Sequence, residues 1–172
     1  MKSFRSRFRS RGGVHPASRK GVTAALPVET MPLPRVLYVS MVQNMGAPAR
    51  PVVKKGDSVL RGQVLGEAGG YVSAPVHAPT SGKILAVGDR LTQAGVPALC
   101  VDLEPDGADR WNEALQPCPD WSGLDGKTMV ERIAAAGIVG MGGAGFPTHV
   151  KLNPPAGTAI EVVIVNGAEC EP

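Results

Sequence analysis

The sequence predicts a mixed fold: a small all-β barrel or sandwich, then the opening of an α/β domain. Three observations carry this reading. Short strand-like apolar segments recur at close spacing between about residues 35 and 105. The 172 residues include 22 Gly and 16 Pro, which points to many turns rather than a helical bundle. Beyond residue 120 a helical apolar stripe, a glycine-rich run and an apolar strand follow one another. With 43% hydrophobic residues a core can form and wholesale disorder is not expected.

Residues 1–30 read as a basic tail and lead-in. Seven of the 18 bases lie in residues 1–20, and none of the 15 acids does, so the rest of the chain is net negative. A secretory signal needs an apolar stretch behind its charges, and Arg5-Ser6-Arg7-Phe8-Arg9 leads into none. A solvated arm is expected, with residues 1–11 disordered and dispensable for folding. The competing reading is contact with anionic lipid headgroups, at about 1 kcal/mol per base near the surface. Nucleic-acid binding is not expected, because no basic surface continues into the body. No apolar run approaches the roughly 20 residues that span a bilayer.

Residues 31–110 form the β zone. Met31-Pro32-Leu33-Pro34 imposes an extended lead-in. Val36-Leu37-Tyr38-Val39 is the first strand, and Pro51-Val52-Val53 runs into turn chemistry at Lys55-Gly56-Asp57. Val59-Leu60, Gln63-Val64-Leu65 and Lys83-Ile84-Leu85-Ala86-Val87 follow. Strands this short and frequent suggest a small sandwich or barrel. Gly56, Asp57, Val59, Gly62, Gln63 and Leu65, with Ala78, Pro79, Gly82 and Ile84, resemble the two signature stretches of biotinyl and lipoyl carrier domains. That resemblance implies a barrel-sandwich hybrid. Carriers present a lysine at a hairpin tip, but here Glu67-Ala68-Gly69-Gly70-Tyr71 puts Gly70 in its place and Lys83 lies in the next strand. A scaffold or docking surface with no covalent cofactor is therefore expected. His77, bracketed by Pro75 and Pro79, reads as a packed or surface residue rather than a ligand.

Residues 120–172 make the third zone, after a bridge at Pro117 and Pro119. Asp125 suits an N-cap, Met129, Val130 and Ile133 the apolar stripe of a helix, and Gly137 its C′ position. Ile160–Val165 reads as a largely buried strand. With no partner strand after it, the zone reads as the start of an α/β domain that has been cut short. Between helix and strand lies Gly140-Met141-Gly142-Gly143-Ala144-Gly145-Phe146-Pro147-Thr148. Its G-x-G-x-x-G-like spacing is a weak signal on its own. The chemistry is more telling: residues without side chains let amides approach a phosphate, the next segment can aim a helix N-terminus at it, and Lys151 can add a positive charge. A plain tight turn is the competing reading. The three cysteines, Cys100, Cys118 and Cys170, show no C-x-x-C spacing. They give no complete zinc or iron–sulfur site and no even-numbered disulfide framework, which favours a reducing compartment.

The run from Gly140 to Thr148, with Lys151, resembles the G-R-G-G-A-G-F-P-T-x-x-K loop of the FMN- and NADH-binding subunit of respiratory complex I. Asn166-Gly167-Ala168-Glu169-Cys170-Glu171-Pro172 is similar to that subunit's N-A-D-E-S-E-P segment. Met141 in place of Arg and Ala168 in place of Asp match a sister family better: the C subunits of ion-translocating Rnf (Rsx) electron-transport complexes. Gly12–Pro16, Ser73–Gly82 and Glu104–Gly107 resemble the same family in the same order.

The resemblance implies a flavin-binding, Rossmann-like α/β segment after the barrel. It also implies a subunit peripheral on the cytoplasmic face of the bacterial inner membrane, where electrons from NADH enter a complex that exchanges them with ferredoxin and moves ions. Other subunits of that membrane complex are the implied partners. The implied cofactors are FMN, NADH and two [4Fe–4S] clusters, whose ligands would lie beyond residue 172. In this reading the amides of Gly142, Gly143 and Gly145 hold the FMN phosphate, Gly140 belongs to the same cofactor-binding loop, Lys151 lies near flavin or phosphate, and Phe146 stacks on the nicotinamide nucleotide. Asn166 and Glu169 would face the isoalloxazine. No catalytic acid or nucleophile is implied, and the isolated segment is expected to be inactive. Two other readings stay open: a complex I-like flavoprotein fragment, and a non-catalytic scaffold.

Overall fold

Antiparallel pairing builds two sheets from the strand-like segments. In the first, β1 (Leu37–Ser40) pairs with β7 (Pro97–Pro105), β7 with β6 (Gly82–Leu91), and β6 with β3 (Ser58–Val59). In the second, β4 (Val64–Glu67) lies between β2 (Arg50–Pro51) and β5 (Val76–His77). This computed structural model describes residue 17 and residues 19–92, 95–141 and 144–165.

Inward side chains of both sheets share one core. Val39, Val59, Leu65, Val76, Ile84, Val101 and Leu103 are buried there, with Met41 and Ala49 filling from the loop between β1 and β2. Each fully buried Leu or Ile contributes about 1.5–3 kcal/mol relative to exposure. The register of β6 on β7 slips between Ile84 and Ala86, so Leu85 is the extra residue of a bulge. The bulge reverses the in–out parity, so that Ile84 opposite Leu103 and Val87 opposite Val101 both reach the core. Lys83 lies within β6, as its position in the sequence suggests.

The two carrier-like stretches meet directly. Gly62 N–H donates to the Ala78 carbonyl (2.8 Å), and Ala78 N–H donates to the Gln63 carbonyl (2.8 Å). The Lys55–Asp57 turn closes locally, with the Lys54 amide donating to Asp57 Oδ2 at 2.9 Å. Across the barrel, Ser81 Oγ donates to Asp106 (2.7 Å) and Thr80 Oγ1 to Asp109 (2.9 Å). The Ser81 hydroxyl, the Ala108 amide and Arg110 together hold the Asp106 carboxyl down at about 2. The Ser73–Gly82 and Glu104–Gly107 motifs are thus two halves of one closure.

The third zone opens with helix α1 (Gly126–Ala135). Asp125 caps it, accepting from the Thr128 amide at 2.8 Å. That bond, with a second from the Thr128 hydroxyl (3.1 Å), holds the Asp125 carboxyl below its usual range. Gly137 ends α1 at φ +68°, with Gly137 N–H on the Ala134 carbonyl and Ile138 N–H on the Ile133 carbonyl. That pair of bonds is a Schellman motif, and its left-handed residue favours glycine.

The chain divides into two compact units, Pro32–Glu161 and Met1–Met31 with Val162–Pro172. In the latter, the regular structure among the described residues is one 3-10 turn, Lys20–Val22. The tail at residues 1–11 lies outside the described residues. The buried strand expected over Ile160–Val165 is corrected: no strand forms there, and Val162, Val163, Ile164 and Val165 are 72%, 79%, 87% and 86% exposed. An apolar strand needs a neighbour to take its amides and cover its faces, and among the described residues none pairs with this one. No helix among the described residues is long and apolar enough to cross a membrane.

Candidate functional site

The glycine-rich run closes on itself. Gly140 N–H donates to the Phe146 carbonyl (3.0 Å) and Thr148 N–H to the Ile138 carbonyl (3.0 Å), with a bridge between Val139 and Pro147. Pro147 is fully buried and anchors the exit. One helical turn, α2 (Thr148–Lys151), follows. A turn this short aligns too few peptide dipoles to aim a helix N-terminus at a ligand, so that part of the expectation is corrected. The positive charge comes from Lys151. A Cβ placed on Gly140 would sit 3.2 Å from Lys151 Nζ, so the ammonium lies directly over the turn. Lys151 makes no salt bridge among the described residues.

The barrel holds this loop at both ends. Met45 N–H donates to the Gly145 carbonyl (3.1 Å), and a Cβ on Gly145 would meet the Gln43 carbonyl at 3.2 Å. At the other end, a Cβ on Gly137 would meet the Pro75 carbonyl at 2.6 Å and the His77 ring at 3.3 Å. His77 is therefore a packed residue under the α1 terminus. Burial pushes its pKa below 6.5, partly offset by a hydrogen bond to the Ala135 backbone.

Two clefts border the loop. One, of about 840 Å³, is lined by Tyr71, Phe146, Lys151 and Asn153 among others. The second, of about 960 Å³, is lined by Gly140, Met141, Ala144 and Gly145 facing Tyr38 and Ser40 of β1. Both lie within the roughly 300–1,000 Å³ of small-molecule sites. The expected site residues thus divide: Phe146 and Lys151 share the first cleft, Gly140 and Gly145 the second, and the Lys151 ammonium lies against Gly140. Gly142, Gly143, Asn166 and Glu169 lie outside the described residues. Although the chain beyond residue 20 is net negative, no carboxylate among the described residues lines either cleft. Open backbone, a cation with no salt bridge among the described residues and a lining without described carboxylates together fit the phosphate end of a nucleotide.

Residues 8–108 match the RnfC barrel sandwich hybrid domain. The chain belongs to that family. Residues 133–172 match the Nuo51 FMN-binding domain, which takes in the glycine loop, Lys151 and the Asn166–Pro172 segment. The chain is 44% identical, over all 172 of its residues, to the C subunit of the proton-translocating ferredoxin:NAD(+) oxidoreductase complex of Clostridium ljungdahlii, covering 36% of that protein. It is 44% identical over 167 residues to the C subunit of the ion-translocating oxidoreductase complex of Rhodobacter capsulatus (96% of this chain, 32% of the relative). It is 43% identical over 162 residues to the C subunit of the Na(+)-translocating ferredoxin:NAD(+) oxidoreductase complex of Acetobacterium woodii (94% and 37%). The chain spans about a third of the length of these relatives. For this RnfC-type chain the barrel-sandwich expectation holds, and a short segment that matches an FMN-binding domain follows it.

The described residues do not suit an iron–sulfur cluster. They contain no group of three or more ligating side chains, and the free Cys100 and Cys118 are not brought together in one. Sequence reasoning also missed three residues at this site: Tyr71, His149 and Asn153. His149 Nε2 hydrogen-bonds the Tyr71 carbonyl at 3.0 Å, and Asn153 Nδ2 donates to the Tyr71 hydroxyl at 3.2 Å. An aromatic residue beside the two glycines of a hairpin tip was the available signal.

Proposed function

We propose that residues 137–151 hold FMN in a peripheral, cytoplasmic-face subunit of an Rnf-type membrane complex, the subunit at which NADH electrons enter. In this reading the complex exchanges those electrons with ferredoxin and couples the exchange to ion translocation. The carrying observation is the Lys151 ammonium over the Gly140 turn, in clefts that no carboxylate among the described residues lines. The match of residues 133–172 to an FMN-binding domain supports it, as do relatives named for ferredoxin and NAD(+).

Amides of Gly142, Gly143 and Gly145 would take the phosphate oxygens, with Lys151 supplying the charge and Gly140, whose own amide is held by Phe146, leaving room beneath it. Phe146 would stack on the nicotinamide nucleotide, and Asn166 and Glu169 would face the ring system. FMN held by these residues would supply the redox chemistry, linking two-electron uptake to one-electron release. The chain's own residues bind, orient and neutralise charge. Any iron–sulfur clusters of the complex would take their ligands from elsewhere.

The test is titration with FMN and with riboflavin, which lacks the phosphate, followed by flavin fluorescence. Lys151→Gln should weaken FMN about tenfold or more, the scale of a charge-assisted hydrogen bond, and leave riboflavin unchanged. Equal FMN affinity in the parent and in Lys151→Gln would remove Lys151 from the site. A parent that binds no FMN would overturn the flavin reading for this chain.

A further inference from the structure

We propose that Tyr71 is a positioning residue: it clamps the α2 turn to the barrel and thereby keeps the Lys151 ammonium over Gly140. The inference takes its ligand, but not its geometry, from the FMN reading above.

An isolated four-residue turn has no stability of its own, so α2 lies where its contacts place it. One set of contacts is with α1. A second is the bond from the Thr148 amide to the Ile138 carbonyl. A third is with Tyr71. His149 bonds the Tyr71 backbone carbonyl (3.0 Å), and its ring stands edge-on to the Tyr71 ring at 6.0 Å and 89°. Asn153, just past the turn, donates to the Tyr71 hydroxyl (3.2 Å). Lys151 lies between these two clamped positions, and its side chain shares a cleft with Tyr71 and Phe146.

The barrel side of the clamp is firmly built. Ser73 is fully buried. Its hydroxyl donates to the Ala47 carbonyl (2.7 Å) and accepts from the Gly69 amide (2.9 Å). Ala47 N–H donates to the Val72 carbonyl (2.9 Å), and Gly69 lies so close to Pro48 that a Cβ would be 2.1 Å from its carbonyl oxygen. The Tyr71 carbonyl is therefore presented from a braced loop. The hairpin tip at which a carrier would offer a lysine here offers an aromatic clamp instead.

The experiment uses the whole 172-residue chain. Hydrogen exchange is measured for residues 148–153 and for β6–β7, and FMN and riboflavin affinities are taken in parallel. Tyr71→Ala should raise exchange at 148–153 and weaken FMN, each about tenfold, with riboflavin affinity and β6–β7 exchange unchanged. Tyr71→Phe keeps the ring edge on His149 and should recover most of that loss. It should match Asn153→Ala, and the double variant should add nothing further. Unchanged exchange at 148–153 in Tyr71→Ala would overturn the proposal, since α1 and the Ile138 bond would then hold the turn without it. Equal weakening of FMN and riboflavin would overturn it too, making Tyr71 a plain cleft wall. If the parent binds no flavin yet Tyr71→Ala still loosens 148–153, the clamp stands and the FMN reading is withdrawn.

Discussion

Glycines of the barrel and glycines of the loop serve opposite ends. In β6, a Cβ on Gly82 would be 2.1 Å from the Glu104 carbonyl oxygen, so the neighbouring strand already occupies that space. At Gly140 the nearest atom to an added Cβ is the tip of Lys151, at 3.2 Å, with the Phe146 carbonyl next at 3.8 Å. One glycine exists because protein backbone is in the way. The other leaves a space bordered by a movable cation. The loop's outer glycines, Gly137 and Gly145, behave like barrel glycines, since each presses on barrel backbone. Glycine content alone therefore does not mark a ligand site; what a side chain would meet does.

Gly82→Val should break the barrel side of this comparison most severely. A branched side chain forced against backbone should cost about 3 kcal/mol or more, read as a lowered urea midpoint. If the midpoint held, the close approach of β6 and β7 would be wrong.

Gly137→Ala should cost less, about 1–2 kcal/mol, because a side chain is forced into the left-handed region and against Pro75. Its signature should be loss of helix signal and faster exchange in α1, while β6–β7 amides stay protected. Uniform loss across the chain would show that barrel and loop unfold as one.

A smaller effect should come from His77. Burial lowers its folded pKa, so on acidification the unfolded chain takes up a proton first. Stability should be level above about pH 6.5 and fall as pH drops from there toward the folded pKa. The Asp106 carboxyl, held at about 2, also makes acid destabilising, but only below its unfolded value of 3.8. Urea midpoints between about pH 7.5 and about pH 5 isolate the histidine. In that window His77→Gln should flatten the slope, and an unchanged slope would place the titration elsewhere.

Gly140→Ala should be the least costly, within about 0.5 kcal/mol of the parent, because Lys151 can move aside. Its effect should fall on FMN titration instead, as a selective loss against riboflavin. A large fall in the urea midpoint would make Gly140 another packing glycine.

What could be read from the sequence are features that close within a few residues. The Lys54–Asp57 turn, the Asp125 cap and the Gly137 terminus each need only neighbouring side chains and one short ring of hydrogen bonds. The apolar segments also located most of the strands, since burying alternate residues leaves a local pattern. The full length of β6 was hidden, because the bulge at Leu85 breaks that alternation. The exposure of Val162–Val165 was hidden too, because apolar composition says that a strand should be covered and not whether a neighbour is there to cover it. The bonds of His149 and Asn153 to Tyr71 join residues 78 and 82 positions apart, and Lys151 meets Gly140 across a fold in the chain that no local pattern signals. Local residue types determine which conformations a segment prefers. Only the packed chain decides which distant side chains meet, because that depends on where every intervening element has come to rest.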